Sequence, residues 1–362
     1  MKEIRKKIDE IDTKINELLD SRAKLARDIG RKKEETNKPV FSPSREKEIL
    51  NKIILNSKSS KQGFPVEAKM NIFNEIFAAS RSLQKELSIS YLGPEATFTH
   101  LAAVRQFSAG SKYISVSSIS QVFREVEKRR ADYGVVPIEN STEGIVTHTL
   151  DMFMNSDCKI CAEMLMEISH YLLSKEEDLS DVDKIYSHPQ ALAQCGMWLE
   201  ENVPHIQVIE VSSTALAAKN ACIEKGAAAI ASSMAAKEYE LNILEKRIED
   251  ISENITRFLV IGNEIAEASS EDKTTIMFSI KDRVGALHDM LVPFKKHSLN
   301  LTKIESRPSR AKAWEYVFVI DFKGHIDDDD AKAAVSELEK DCVFLKVLGS
   351  YPIAKKLFEK TE

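Results

Sequence analysis

The sequence has 362 residues, of which 43% are apolar and 30% charged, with a formal net charge of −6. That length suits two or three ordinary globular domains, and the modest charge excludes a broad nucleic-acid surface while leaving room for local basic sites for small anions. No apolar run approaches the roughly 20 residues that span a bilayer, and the opening Met1-Lys2-Glu3-Ile4-Arg5-Lys6-Lys7-Ile8 lacks the continuous apolar core of a signal peptide, so a cytoplasmic protein away from membranes is expected.

Residues 3 to about 35 read as one long helix. Ile4, Ile8, Ile11, Ile15, Leu18, Leu25 and Ile29 follow alternating four- and three-residue steps, a heptad seam. At 1.5 Å per residue the helix is about 50 Å long, too long for a small domain to cover, so a partner chain is expected along it. Arg22 interrupts the seam. A short helix is expected after Ser42-Pro43, and a third from about Pro65 to Leu87. The seam of the third runs Val66, Met70, Phe73, Phe77, Ser80, Gln84 and Leu87, so two polar residues again take apolar places.

From Ile89 the pattern changes to short strands alternating with helices: 89–92, 133–136, 184–186, 207–209, 228–231 and 257–261. That is an α/β domain with ligand sites where strands end. The stretch Ile261–Lys273 reads as a linker. The rest reads βαββαβ, a ferredoxin-like order: strands 275–280, 301–305, 315–322 and 343–348, with helices 285–297 and 329–340. The division expected is residues 1–87, 88–265 and 273–362. Among the five cysteines only Cys158 and Cys161 form a C-x-x-C, with no second pair nearby. Neither a disulfide framework nor a metal site is expected.

A lone Arg in a heptad seam either fixes the oligomer or binds an anion. Lys33 lies about 20° round the helix from Arg22 and about 16 Å along it, so both point into one site. Arg5 is displaced by about 100° and suits a site on a neighbouring chain better. Arg45, Glu46, Ser80 and Gln84 offer further walls. On these residues the first ninety or so positions resemble the all-helical chorismate mutases that open bifunctional P-proteins. The resemblance implies that Arg5 from the partner, Arg22 and Arg45 hold the carboxylates of chorismate. It also implies that Lys33 and Gln84 donate to its ether oxygen, that Glu46 holds the ring hydroxyl and that Ser80 lines the pocket. Ser42 stands where an Asp is expected. The rearrangement to prephenate is pericyclic and needs no nucleophile, metal or cofactor; fixed cations on rigid helices compress the dianion and stabilise charge on the breaking bond.

Four loop motifs mark the middle segment: Gly93-Pro94-Glu95-Ala96-Thr97-Phe98-Thr99-His100, Val136-Pro137-Ile138-Glu139-Asn140-Ser141, Ser187-His188-Pro189-Gln190 and Thr256-Arg257-Phe258. In this order they resemble prephenate dehydratase. The resemblance implies a bilobed fold like the periplasmic binding proteins, with Thr256 as the acid and Arg257 holding a carboxylate. It implies that Asn140, Ser187 and Gln194 position prephenate, with Glu139, His188, Ser213, Thr214 and Phe258 close by. Ser212 takes the place of an acid found in some relatives. Loss of carbon dioxide and the ring hydroxyl is driven by aromatisation, so a hydroxyl in a dry cleft can serve as the acid. No flavin, pyridoxal or nicotinamide motif is present, and no G-x-G-x-x-G turn supports the sister dehydrogenase route.

Gly285-Ala286-Leu287 and Glu305-Ser306-Arg307-Pro308 resemble the ACT domain of prephenate dehydratases. There they mark a phenylalanine site at a dimer interface, which implies feedback inhibition by L-phenylalanine in a homo-oligomer, dimer or tetramer. His288 replaces the aliphatic residue expected after Gly-Ala-Leu. Two other readings stand beside this one: a dehydratase whose helices only dimerise, and a non-catalytic amino-acid sensor.

Overall fold

The structure, a computed structural model, describes residues 1–57, 63–108, 110–281, 283–308, 316–354 and 356–357. The chain falls into two compact units: Met1–Ser88 with Phe107–Lys112, and Ile89–Gln106 with the residues from Tyr113 onward.

The first unit is built on three helices, α1 (Lys2–Glu35), α2 (Pro43–Ser57) and α3 (Val66–Ser82). The expected seam lies on α1, yet its apolar residues face solvent: their exposure runs from 49% at Ile15 to 69% at Leu18, and Ala26 is the helix's one buried residue. The heptad pattern makes the helix, but its own unit does not cover it. The third helix is shorter than expected. It ends at Ser82, and its last turn closes through Leu83 N to Ala79 O and Gln84 N to Arg81 O, so Gln84 sits just past the helix.

The second unit holds three sheets. The first contains Ser88–Leu92, Lys112–Val116, Tyr133–Asn140, Lys159–Glu167 and Ile255–Gly262, with the short strands Gly144–Ile145 and Lys356–Leu357. Ser88–Leu92 runs parallel to Tyr133–Asn140, whereas Ile255–Gly262 is antiparallel to both its neighbours. The second sheet has the order Asn242–Lys246, Tyr171–Ser174, Ala227–Ala231, Lys184–Ser187, Gln207–Glu210. Alanine builds this lobe: Ala215, Ala217, Ala218 and Ala221 on helix Thr214–Ile223 are buried with the all-buried strand Ala227–Ala231. Small side chains let helix and strand approach closely. The chain crosses between the lobes twice, and the crossings are stitched together by Ile168 N to Asn254 O (2.8 Å) and Ile248 N to His170 O (3.0 Å). This is the expected two-lobed architecture.

The third sheet is antiparallel, ordered Leu301–Pro308, Tyr316–Lys323, Asp272–Ile280, Cys342–Pro352, with helices Ala286–Lys296 and Asp329–Glu339. That is the ferredoxin-like order; Glu315, the expected start of one strand, lies outside the described residues. Period-two alternation splits its side chains. Ile276, Phe278, Ile320 and Phe322 pack with Phe294 and Leu338 of its own helices. Met277, Val317, Val319, Leu348 and Tyr351 join Ile138 and Ile160 of the first sheet, and Leu150 and Phe153 of helix Thr147–Asn155 packed on it, in one core. The contact is so close that a Cβ on Gly349 would stand 2.2 Å from Ile160 O. Residues 261–273 therefore connect two sheets that share a core. Cys158 and Cys161 are buried in this region, and burial pushes the Cys161 thiol up to about 12, far from the thiolate that redox chemistry needs. Among the described residues no helix is long and apolar enough to cross a membrane.

Candidate active sites

In the first unit the polar interruptions of the seams meet. Arg22 Nη1 donates to Ser80 Oγ and lies 3.5 Å from Ile76 O, its guanidinium 5.9 Å from the Phe77 ring centre. Burial lowers the Arg22 pKa, so the charge is held at a cost. Lys33 Nζ donates to Val40 O (2.9 Å) at the entry to α2. Glu46, in the first turn of α2, pairs with Arg81. Burial pushes its carboxyl up, against the pull of Arg81 and then of Lys33 and Arg22. Arg81 was not foreseen. It is 5% exposed, flanked by Phe41 and Phe107 at 5.5 and 5.9 Å, and it donates to Phe107 O. Gln84 Nε2 donates to Ser80 O (3.0 Å), while its Oε1 is buried without a hydrogen-bond partner. Arg45 is exposed and paired with Glu48, and Arg5 is exposed near the far end of α1. One copy thus gathers Arg22, Lys33, Glu46, Ser80 and Gln84 but leaves Arg5 and Arg45 facing water.

The cleft side of the second unit is a chain of amides ending on a hydroxyl. Thr256 and Asn140 face each other across antiparallel strands. Asn140 Nδ2 donates to Thr256 Oγ1 (2.8 Å) and to Asn254 Oδ1 (2.7 Å), while its Oδ1 accepts from Thr142 N, Thr142 Oγ1 and Glu143 N. Asn254 Nδ2 donates to Gln194 Oε1 (3.0 Å), and His170 Nε2 lies 2.8 Å from that oxygen, with the Phe98 ring edge-on to the imidazole. Gln194 belongs to the second lobe, so these bonds join the lobes across the cleft. A Thr256 Oγ1 that accepts from Asn140 keeps its own hydrogen to donate. Asn254 and His170, buried at 1% and 2%, are the residues sequence reasoning missed. Asn254 stands two before Thr256, a spacing that places both on one face of an extended chain. Nothing local marks His170.

Other expected residues are used structurally. Ser187 Oγ donates to Ile230 O (2.7 Å) with no exposure. His188 Nδ1 and Ser213 Oγ accept from Gln190 N and Leu216 N as helix caps, and Thr214 is the first residue of the helix that Ser213 caps. Phe258 is 1% exposed in the sheet.

The expected cleft position of Arg257 is not what the strand provides, because successive strand residues point to opposite faces. With Thr256 toward the cleft, Arg257 and its cross-strand neighbour Glu139 point toward the C-terminal sheet. Arg257 is 8% exposed, and every nitrogen is engaged: Nε by Glu163 (2.7 Å), Nη1 by Asp321 (2.8 Å) and Nη2 by Tyr351 OH (2.9 Å). Burial opposes its charge, but Tyr351, Asp321 and Glu163 leave its pKa raised well above the ordinary value. Glu139 pairs with Lys303.

In the C-terminal segment Gly285 has φ +82°, the left-handed region glycine favours, and is the N-cap of helix Ala286–Lys296. Val284 and Leu287 are exposed, at 101% and 52%. His288 is also exposed and bonds its neighbour Asp289. On strand Leu301–Pro308 burial alternates: Glu305 and Arg307 are half-buried, Ser306 and Pro308 exposed. Arg307 pairs with Asp151 (2.6 Å) and donates to Thr147 O.

Three family models match successive stretches: chorismate mutase type II over residues 4–85, prephenate dehydratase over 89–266 and the ACT domain over 274–340. A bifunctional chorismate mutase/prephenate dehydratase of Aquifex aeolicus is 50% identical over 355 residues, 98% of this chain and 98% of that one. The chain belongs to the bifunctional chorismate mutase/prephenate dehydratase family. The corresponding Pseudomonas aeruginosa protein is 43% identical over 360 residues, again 98% of each chain. A prephenate dehydratase of Arthrobacter aurescens, solved in complex with L-Phe, is 33% identical with a TM-score of 0.69, over 75% of this chain and 92% of that one. As a chorismate mutase/prephenate dehydratase the chain is an isomerase and a lyase with an ACT domain, activities that fit phenylalanine biosynthesis.

One glycine is explained by the mutase part. Gly30 lies on α1 where an added Cβ would stand 2.9 Å from Gln84 Cγ and 3.1 Å from its Cα. Gly30→Ala is expected to lower mutase turnover by between about tenfold and 10²-fold, the cost of a misplacement near 1 Å, without changing dehydration of supplied prephenate. Steady-state rates on the two substrates check it, and an unaltered mutase rate would detach Gln84 from the reaction.

Proposed function

We propose that chorismate is bound in the helical part by Arg22 and Arg45 with Arg5 of a second copy, that Lys33 and Gln84 donate to the ether oxygen, that Glu46 accepts the ring hydroxyl and that Ser80 lines the wall. The exposed apolar seam of α1, together with Arg5 on α1 and Arg45 on α2 facing water, supports a homo-oligomer in which the copies cover each other. We divide the chain at 1–87, 88–265 and 273–362 and place it in the cytoplasm. In the dehydratase cleft Thr256 protonates the departing ring hydroxyl while Asn140, Asn254 and Gln194 fix the hydroxyl and the substrate. The observation that carries this is the Asn140 bond to Thr256 Oγ1, which orients the hydroxyl and leaves its hydrogen for the substrate.

Purified protein given chorismate without any cofactor is expected to form prephenate and then phenylpyruvate. Prephenate without phenylpyruvate would overturn the dehydratase assignment, and turnover of supplied prephenate but not of chorismate would leave the helices a structural role.

L-Phenylalanine is the expected inhibitor, bound between two C-terminal domains at Gly285–Leu287 and Glu305–Pro308. A relative solved with L-Phe and the exposed Val284, Leu287, Ser306 and Pro308 support this. Coupling of about 1–3 kcal/mol corresponds to about 5- to 150-fold inhibition. Gly285→Val strains a left-handed position and blocks approach to the backbone amides. The ratio of dehydratase rates without and with phenylalanine is expected to fall toward one. An unchanged inhibition curve would put the sensor elsewhere.

A further inference from the structure

We infer that Arg257 is a positioning residue for the dehydratase reaction, which holds the Thr256–Asn140 pair from the far face of its sheet and passes to it the state of the C-terminal domain. The inference rests on the reading of Thr256 as the acid. Two adjacent rungs carry it. Thr256 pairs with Asn140 and Arg257 with Glu139, so one rung faces the cleft and the next faces the C-terminal sheet. The C-terminal sheet grips the second rung at both ends. Asp321 and Tyr351 hold Arg257, and Lys303 holds Glu139. The grip is itself braced: Thr275 Oγ1 lies 2.6 Å from Tyr351 OH and donates to Asp321 Oδ1 (2.7 Å), and Lys273 pairs with Glu163 (3.0 Å).

Each nitrogen of this guanidinium already has a protein partner, and the residue is only 8% exposed, so it is built into the sheet-to-sheet contact. The same face has one soft spot. A cavity of about 20 Å³ lies beside Arg257, Thr275, Lys303 and Asp321. That volume holds about one water, so the grip has room to rearrange. The strand that supplies Lys303 also supplies Arg307 to Asp151, while its outward residues Ser306 and Pro308 belong to the sensor motif. A ligand on the outer face of this strand therefore acts on Glu139 and Arg257 through side chains of the inner face. Displacement of a reacting group by about 1 Å costs about 10² in rate, so a small shift of the second rung is enough to silence the first.

The test uses the full-length protein with prephenate as substrate. For Arg257→Lys we expect kcat to fall by about 10- to 100-fold with KM within about threefold. Tyr351→Phe removes one hydroxyl from the grip, and Lys303→Met frees Glu139. Both are expected to lower kcat several-fold and to shift the phenylalanine response, with melting temperatures within a few degrees of the parent and mutase rates unchanged. A KM rise above tenfold as the main effect of Arg257→Lys would make it a substrate clamp and overturn the proposal. So would wild-type kcat and phenylalanine response in both Tyr351→Phe and Lys303→Met. If Thr256→Ala keeps its activity, the acid assignment fails instead, a result read separately from the kcat and KM of the Arg257 variant.

Discussion

Chorismate supplied to a Thr256→Ala chain is expected to become prephenate and stop there. A positioned general acid contributes about 10²–10⁴ in rate, and Thr256 supplies the hydroxyl that accepts from Asn140 Nδ2. The methyl left behind is smaller and apolar, and Asn140 Nδ2 keeps Asn254 as its acceptor, so the fold is expected to survive. The mutase residues belong to another unit, and their rate should be unaltered. Thr256→Ser restores the hydroxyl and is expected to recover most of the activity. Phenylpyruvate formed by the alanine variant at near the parent rate would mean that the proton comes from another group.

Arg22→Met is expected to cost the mutase about 10²–10³, the loss that follows removal of one preorganised donor. Dehydration of added prephenate should be unaffected. Stability is the more telling measurement. Partial burial disfavours the Arg22 charge, and a charge kept partly out of water for a ligand is a burden to the empty protein. Methionine keeps the volume over Phe77 and removes that burden, at the loss of the bond to Ser80. The melting temperature is expected to hold or rise. A destabilised protein with near-normal mutase turnover would instead assign Arg22 to helix packing.

The heptad seam with its polar interruptions was legible because a helix has a period, and Arg22, Ser80 and Gln84 break it. The strand period was equally present in Thr256-Arg257-Phe258, but the motif invited a reading as one unit. Alternation separates Thr256 from Arg257, and it also makes Asn254 a neighbour of Thr256. Lys159–Glu167 went unseen as a strand because Cys-Ala-Glu-Met-Leu-Met is buried on both faces, which erases the alternation. Its acidic Glu163 is there for Arg257. His170, Arg81 and Gly30 depend on chain segments far away in sequence, and no local pattern announces them. The stretch from Ile261 to Lys273 has a linker's composition, but composition says nothing of the back of a sheet, and the two sheets it joins share one core.

That shared core bears on how the protein comes into being. Ribosomes deliver a chain N-terminal end first, and Tyr351 is among the last described residues to emerge. Until it does, Ile138, Leu150, Phe153 and Ile160 lack the Val317, Val319 and Leu348 that cover them, and Arg257 sits in a sheet without Asp321 or Tyr351. A nascent or clipped chain that lacks this end is left with an exposed apolar sheet and an acidic pair, Glu139 and Glu163, without its full set of counter-ions. A foreign C-terminal domain grafted onto this enzyme would have to supply both the apolar face that Val317, Val319 and Leu348 present to the first sheet and the partners of Arg257.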